Sequence, residues 1–163
     1  TVDYTQWPVF APVFMILLSG IATSAGSTGA GIKMARVLIL VRHARTEMTR
    51  IMHPRAVRPV MLGSHAVDSA TLLSVLGFML VYGGTIIVLT MVLMLTDLSF
   101  DTAFSAVVAS VNNMGPGLNE VGPAGNFQGL TDVQTWVCSL AMLLGRLEML
   151  SFLVLFTRGF WRK

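Results

Sequence analysis

The stretch that decides the fold runs from Ser99 to Asn126 and reads SFDTAFSAVVASVNNMGPGLNEVGPAGN. Its first part, residues 99–111, is mainly apolar and predicts a helix of about 20 Å, at 1.5 Å per residue. A helix of this length does not cross a bilayer, whose apolar core is about 30 Å thick. The second part, residues 112–126, is rich in Gly, Asn and Pro and cannot continue the helix. The pattern therefore predicts a re-entrant hairpin, in which a short helix enters the membrane and an irregular loop returns.

The composition of the whole chain agrees with a membrane location. Of the 163 residues, 54% are hydrophobic and only 12% are charged, with a net charge of +3. Soluble domains carry about 25% charged residues, so this chain has too few charges to solvate a surface. The balance excludes a disordered chain and a nucleic-acid binder with a broad basic face. Cys138 is the single cysteine, which excludes an internal disulfide and a cysteine-rich metal site.

Two continuous stretches are long and apolar enough to span a membrane. Residues 69–95 contain no charged side chain and predict an outer helix. Residues 133–157 predict an inner helix that is apolar except for Arg146 and Glu148, which lie almost at its centre.

A third apolar stretch is interrupted. Residues 7–20 and 32–41 are mainly apolar, but the segment between them, 20–31, reads GIATSAGSTGAG. Small residues at four-residue spacing commonly indicate close helix packing. Against that explanation, the run of small residues is longer than packing requires. The alternative is non-helical backbone at membrane depth, which is tolerated only where protein covers it or water lines it.

The distribution of charge predicts the orientation of these spans. Most of the cationic residues lie in or beside the segment 42–68 or after the last span: Lys33, Arg36, Arg42, Arg45, Arg50, Arg55, Arg58, Arg158, Arg162 and Lys163. The acidic stretches around residues 97–101 and 120–132 contain no Lys or Arg. By the positive-inside rule, the loop 42–68 and the C-terminus are cytoplasmic and the acidic stretches are outside.

The hairpin loop has the chemistry of a cation filter. A helix C-terminus carries about half a negative charge, and the following backbone carbonyls can replace the water around an ion. Glycine allows consecutive carbonyls to face one way. The predicted filter residues are Asn112, Asn113, Met114, Gly115 and Pro116. The alternative is an ordinary extracellular loop above a buried short helix, and the residue pattern alone does not decide between the two.

Arg146 and the Gly-rich break together suggest a gate. A cation at the bilayer centre costs about 2.5–3.5 kcal/mol, so Arg146 should face protein or a water-filled path. Glu148 is two positions away and does not face Arg146 on a helix. Carbonyls of the break are the better partners, and a fixed positive charge beside them is a barrier to cations.

Other functions find little support. His43, His53 and His65 lie in the basic loop at spacings that match no metal motif. No nucleophile–base pair lies inside the predicted membrane region, so we expect no enzyme activity. The rival hypothesis is a non-conducting membrane module that packs against a partner through its small residues.

Four strings carry a family resemblance across nearly the whole chain. AGSTGAGIK at 25–33, VASVNNMGPGLNEVGP at 108–123, and LAMLLGRLEML at 140–150 with LVLFTRGFWRK at 153–163 occur in this order. They resemble the C-terminal part of the TrkH family, the membrane subunits of bacterial Trk potassium uptake systems in the wider Trk/Ktr/HKT superfamily. HPRAV and the opening DYTQWP also fit.

The resemblance implies an all-α polytopic membrane protein built from four helix–pore-helix–helix repeats, arranged like a potassium channel. Residues 1–67 would be the second helix of repeat three with its Gly-rich loop and cytoplasmic connection. Residues 68–163 would be repeat four: outer helix 69–95, pore helix 99–111, filter loop 112–117 and inner helix 133–157. Since the chain begins with Thr1 and offers too few filter segments to close a ring, we expect a C-terminal fragment.

The resemblance also implies a function and partners. The expected activity is potassium uptake by symport across the bacterial inner membrane, with Asn113, Met114 and Gly115 binding potassium through backbone carbonyls. The gate residues it implies are Gly26, Ser27, Thr28, Gly29, Gly31, Lys33 and Arg146. We expect a homodimer that docks a cytoplasmic TrkA-type nucleotide-binding ring, with nucleotide bound only by that partner. The family loop usually reads GGG where this chain has Gly29-Ala30-Gly31, which puts gate flexibility in question.

Overall fold

The structure is a computed structural model that describes residues 7–8, 10–21, 23–24, 27, 29–55, 59–147, 149–155 and 157–161. The predicted all-α class is confirmed. The helices are α1 (Phe10–Ile21), α2 (Met34–Met52), α3 (Ser69–Met94), α4 (Phe100–Val111), α5 (Asp132–Arg146), α6 (Met149–Val154) and α7 (Arg158–Trp161). One small hairpin, β1 (Met61–Leu62) with β2 (His65–Ala66), was not predicted.

Helix α3 has the length and composition of a membrane span. It is 26 residues long, and its most apolar 18-residue window has a mean hydropathy of 2.3 and is only 22% buried. Leu80 is 77% exposed and Met91 is 63% exposed. An apolar helix with so much apolar surface uncovered is suited to lipid rather than water. Among the described residues it is the one helix that meets the length and hydropathy criteria for a span, and α1 and α4 are shorter apolar helices.

Helix α4 is the centre of the fold. All its residues from Ser105 to Val111 are buried, and it packs between α3 and α5. Small side chains such as Ala103 and Ala106, both with no exposed surface, let the neighbouring helices approach closely. A short helix is therefore held inside the bundle, as the apolar stretch 99–111 predicts.

Hydrogen bonds fix where α5 begins relative to α3. The Thr131 hydroxyl accepts the Gln134 backbone N–H, and the Gln134 side chain accepts the Thr131 N–H, which forms a capping box. The same Gln134 amide donates to the Thr96 carbonyl at 3.1 Å and to the Thr96 hydroxyl at 2.9 Å. Because Gln134 is buried, these bonds tie the start of α5 to the end of α3.

The prediction of one continuous inner helix over 133–157 is wrong in one respect. Helix α5 ends at Arg146, Leu147 leaves the helix, and the chain resumes as α6 at Met149. Glu148 lies outside the described residues. Just before the break, the backbone of Gly145 presses on α4: a Cβ atom there would lie 1.8 Å from the carbonyl oxygen of Val111. Length and hydropathy could not reveal the break, because the stretch 133–157 is long enough to span a membrane and is apolar except for Arg146 and Glu148.

The interrupted span is present as two helices separated by non-helical chain. Helix α1 ends at Ile21 and α2 begins at Met34. Helix α2 continues past the apolar residues 34–41 as a charged, exposed helix to Met52, with Arg50 placed 3.6 Å from Glu47. The charged part is rich in residues that favour helices, so the backbone hydrogen bonds of the helix continue through it. A prediction based on hydropathy alone ends the helix too early.

We expect Gly145→Ala to destabilise the protein strongly. The added methyl group would collide with backbone atoms of Val111, which cannot rotate away, and overpacking of this kind costs about 3 kcal/mol. The melting temperature of the full-length protein in detergent should fall by about 5 °C or more. Gly77→Ala is the matched control, since nothing lies within 4 Å of that site on α3. An equal melting temperature for both variants would contradict the close α4–α5 contact.

Candidate functional site

The end of α4 is shaped by a Schellman motif. Asn113 has a left-handed backbone, with φ of 50°, and its N–H donates to the Ser110 carbonyl at 3.0 Å. The Met114 N–H donates to the Ala109 carbonyl at 2.9 Å. These two bonds satisfy the last carbonyls of the helix and turn the chain sharply. Asparagine tolerates this conformation because its short polar side chain stabilises it locally.

The loop after the motif contains backbone carbonyl oxygens that are not used in hydrogen bonds. Within the described part of the chain, no hydrogen bond is made to the carbonyl oxygens of Asn113, Met114 or Gly115. Gly115 has φ of 108°, a conformation open to glycine. At the membrane depth predicted for this loop, carbonyls without a partner need one, and a cation is a suitable partner.

The far side of the loop is anchored to protein. The Leu118 N–H donates to the Ser105 hydroxyl at 2.9 Å, and the Gly117 N–H donates to the Val121 carbonyl at 2.7 Å. Gly115 and Pro116 line an open depression of about 520 Å³ with the apolar side chains of Phe127 and Met142. The predicted filter residues from 113 to 116 therefore lie together between a fixed helix end and a fixed anchor.

Asn112 has a different place from the other predicted filter residues. It keeps a helical backbone and is buried. Its side-chain amide points away from the loop: Oδ1 accepts the Tyr82 hydroxyl at 2.7 Å, and Nδ2 donates to the Ser19 hydroxyl at 3.0 Å. The side chain therefore links α4 to α3 and α1.

The Gly-rich break forms a loop with a closed neck. The Ile32 N–H donates to the Gly20 carbonyl at 2.8 Å, and the Met34 N–H donates to the Thr23 carbonyl at 2.9 Å. Gly31 has φ of 94°, and a Cβ atom there would lie 2.9 Å from the Gly20 oxygen. The neck can close only because this position has no side chain.

Lys33, at the end of the loop, also has a left-handed φ, at 67°. Non-glycine residues seldom adopt such a conformation, which stores about 1–3 kcal/mol of strain. Gly26 and Thr28, two of the predicted gate residues, lie outside the described residues.

Arg146 and the described gate residues line one cavity. The cavity has a volume of about 370 Å³, and its lining includes Ser27, Gly29, Gly31, Lys33, Arg36, Tyr82 and Arg146. Within the described residues Arg146 makes no hydrogen bond or ion pair, so its predicted pairing with carbonyls of the loop stays a prediction. Three cationic side chains nevertheless border the same space.

The cavity is bordered by a residue that contacts Asn112. Tyr82 lines the cavity and donates to Asn112, which immediately precedes the filter carbonyls. Among the described residues, no three His, Cys, Asp or Glu side chains come together to hold a metal ion. The loop and the cavity therefore offer a carbonyl site above and a positively charged space below.

Sequence reasoning missed Ser19 and Tyr82. Each is a hydroxyl-bearing residue in an apolar helix, and a buried hydroxyl requires a partner. The need for a partner identifies both hydroxyls as candidates for a buried hydrogen bond. Only the packing of the three helices shows that both bond to the side-chain amide of Asn112.

Comparison with known proteins places the chain among transport proteins. The family described as "TrkH: Cation transport protein" matches residues 1–162. The Trk system potassium uptake protein TrkH of Escherichia coli (strain K12) is 40% identical over 163 residues, which are 100% of this chain and 33% of the relative. The Trk system potassium uptake protein TrkG of the same strain is 37% identical over 164 residues, or 99% of this chain and 33% of the relative.

A solved structure has the same fold. The crystal structure of the potassium transporter TrkH from Vibrio parahaemolyticus matches with a TM-score of 0.90 and 40% identity, over 99% of this chain and 34% of that chain. The chain spans about a third of the length of the relatives it matches.

We expect Gly31→Ala to open the neck of the Gly-rich loop. The methyl group would meet the Gly20 oxygen at 2.9 Å in a backbone region that L-residues rarely adopt. Loss of the Ile32 hydrogen bond should speed exchange of that amide by about tenfold in hydrogen-exchange mass spectrometry. Gly63→Ala is the control, since Gly63 has φ of 64° but open space around it. Unchanged exchange at Ile32 would contradict the closed neck.

Proposed function

We propose that this chain, which belongs to the TrkH family of cation transport proteins, supplies one segment of a potassium pathway across the bacterial inner membrane. The observation that carries the proposal is the row of carbonyl oxygens at Asn113, Met114 and Gly115, which accept no hydrogen bond within the described residues. Oxygens of this kind can replace the hydration shell of a potassium ion. The substrate follows from the names of the matched relatives, which are potassium uptake proteins.

The position of these oxygens favours cations over anions. They follow the C-terminal end of α4, where the helix dipole contributes about half a negative charge. The approach to the loop carries Glu120 and Asp132, both exposed. Acidic side chains at a mouth raise the local concentration of cations. A non-conducting membrane module that packs against a partner would not require three successive backbone carbonyls without hydrogen bonds. We therefore prefer an ion-conducting function.

The gate we propose lies in the cavity below. Ser27, Gly29, Gly31 and Lys33 line it on the loop side, and Arg146 lines it at the end of α5. A positive charge in this space repels a passing cation, and movement of the loop with Arg146 would change the height of that barrier. Gly26 and Thr28 complete the proposed gate by their place in the same loop. No covalent chemistry is required.

The larger assembly is part of the same proposal. Residues 68–163 form one helix–pore-helix–helix repeat, and residues 1–67 form the second helix of the preceding repeat with its cytoplasmic connection. The C-terminus and the basic segment 42–68 face the cytoplasm. The complete transporter is a homodimer that couples potassium entry to another ion and docks a cytoplasmic nucleotide-binding ring of the TrkA type.

We expect Arg146→Ala to raise potassium flux. A unit charge about 10 Å from a cation, at an effective dielectric constant of about 20, raises its energy by about 1.7 kcal/mol. Removing the charge should therefore increase flux roughly tenfold. The measurement is potassium uptake by liposomes containing the full-length protein.

Two variants control for this change. Arg146→Lys keeps the charge and should keep the flux low. Arg50→Ala removes a cationic side chain from the exposed part of α2 and should leave the flux unchanged. If Arg146→Ala matches the parental flux, Arg146 is not part of the gate.

We expect Gly115→Ala to impair discrimination between potassium and sodium. The φ of 108° strains any L-residue by about 1–3 kcal/mol, so the backbone must change and move the carbonyls. The fold should survive, since nothing lies within 4 Å of the added methyl group. The ratio of potassium to sodium uptake, measured in cells lacking their own potassium uptake systems, should fall by about tenfold.

Gly129→Ala is the matched control for Gly115→Ala. It adds the same methyl group in open space on the outer loop, without a left-handed backbone. A parental uptake ratio in both variants would argue that the Gly115 carbonyl does not contact the ion.

A further inference from the structure

The side-chain amide of Asn112 occupies the point where three helices and the Gly-rich loop meet. It is buried, and both of its polar atoms are hydrogen-bonded: Oδ1 to the Tyr82 hydroxyl and Nδ2 to the Ser19 hydroxyl. A Cβ atom on Gly20 would lie 3.6 Å from Nδ2, and one on Gly31 would lie 3.4 Å from Oδ1. The amide therefore lies directly beside the two glycines at the neck of the loop.

The chain entering the loop reaches this amide directly. Ser19 lies one residue before Gly20, whose carbonyl forms the neck with Ile32. The Ser19 hydroxyl donates to the Ile16 carbonyl at 2.6 Å and accepts from Asn112. Any displacement of the neck that moves the end of α1 must stretch the bond to Asn112.

The chain leaving the loop reaches the same amide through aromatic contacts. The guanidinium carbon of Arg36, in the first turn of α2, lies 3.9 Å from the centre of the Phe78 ring. The Phe78 ring stacks on Tyr82, with centroids 6.1 Å apart. The Tyr82 hydroxyl then donates to Asn112. Both ends of the loop are thus connected to one side chain by contacts of ordinary geometry.

We infer that the Asn112 side chain is a positioning group that couples the Gly-rich loop to the filter carbonyls of residues 113–115, so that loop position sets ion discrimination. The inference rests on the transport function proposed above. Asn112 does not contact the ion through its side chain. It acts through its backbone, because the next residue, Asn113, begins the turn that aims the carbonyls.

The coupling works through two hydrogen bonds that share one rigid amide plane. Rotation of this plane to follow Ser19 weakens the bond to Tyr82, and rotation to follow Tyr82 weakens the bond to Ser19. A change on either side therefore turns the Asn112 side chain and the backbone that carries it. The first carbonyls of the filter shift with it.

Transport by the full-length protein tests this coupling. Ser19→Ala and Tyr82→Phe each remove one hydroxyl bonded to the amide, and Asn112→Ala removes both bonds. In cells lacking their own potassium uptake systems, each variant should lower the potassium-to-sodium uptake ratio by about fivefold, the scale of one buried hydrogen bond. The apparent KM for potassium should rise in parallel.

A matched control separates coupling from stability. Ser74→Ala deletes a hydroxyl that donates to the Ala70 carbonyl on the exposed side of α3, away from the amide. A merely structural role would reduce the amount of protein and the maximal rate, but would leave the uptake ratio and the KM unchanged. Parental ratios in Ser19→Ala and Tyr82→Phe would overturn the inference.

A second measurement does not depend on transport. Hydrogen-exchange mass spectrometry on the detergent-solubilised full-length protein reports the amides of Asn113 and Met114, which hold the turn. Ser19→Ala should speed their exchange about fivefold, and Ser74→Ala should not. If the Asn113 and Met114 amides exchange at the parental rate in Ser19→Ala, the coupling is overturned, whatever the transport activity of that variant. Absent potassium uptake by the parental protein rejects the proposed function, while the exchange result still decides whether Ser19 and the filter turn are linked.

Discussion

Backbone groups inside a membrane must find partners, and the end of α4 shows how this chain meets that demand. The Schellman turn at Asn113 uses the last helical carbonyls, Ala109 and Ser110, while the carbonyls of residues 113–115 accept no hydrogen bond within the described part of the chain. In water such oxygens would be solvated. At membrane depth they need a substitute, which the cation of the proposed pathway would supply. The burial of α4 between α3 and α5 keeps this arrangement in one place.

The parts around α4 support that arrangement by different means. Ser105 and Val121 hold the outer end of the loop, while Asn112 holds its inner end. Below, the glycines of the break let the chain close a neck at Gly20 and line a cavity with Arg146. In the proposed pathway, a cation would meet the carbonyl oxygens of the loop first and the positively charged cavity second.

Sequence reasoning predicted the elements that depend on composition and missed those that depend on tertiary contact. The charge-free run 69–95 and the short apolar run 99–111 correspond to α3 and α4 because length and hydropathy decide them. The break before Met34 was predictable because small residues accumulate there. The end of α5 was not, since it depends on the approach of Gly145 to Val111, which no local pattern encodes. The same holds for Ser19 and Tyr82, whose shared partner belongs to another helix.

The contact between Gly145 and Val111 has a mechanical consequence. Helix α5 is in close contact with the end of α4 at its last turn, and the helix ends immediately afterwards, at Arg146. Because α6 begins only at Met149, a movement of α6 would not be transmitted to α5 through a continuous helix. A hinge between the two helices would leave the end of α4 and the loop that follows it in place.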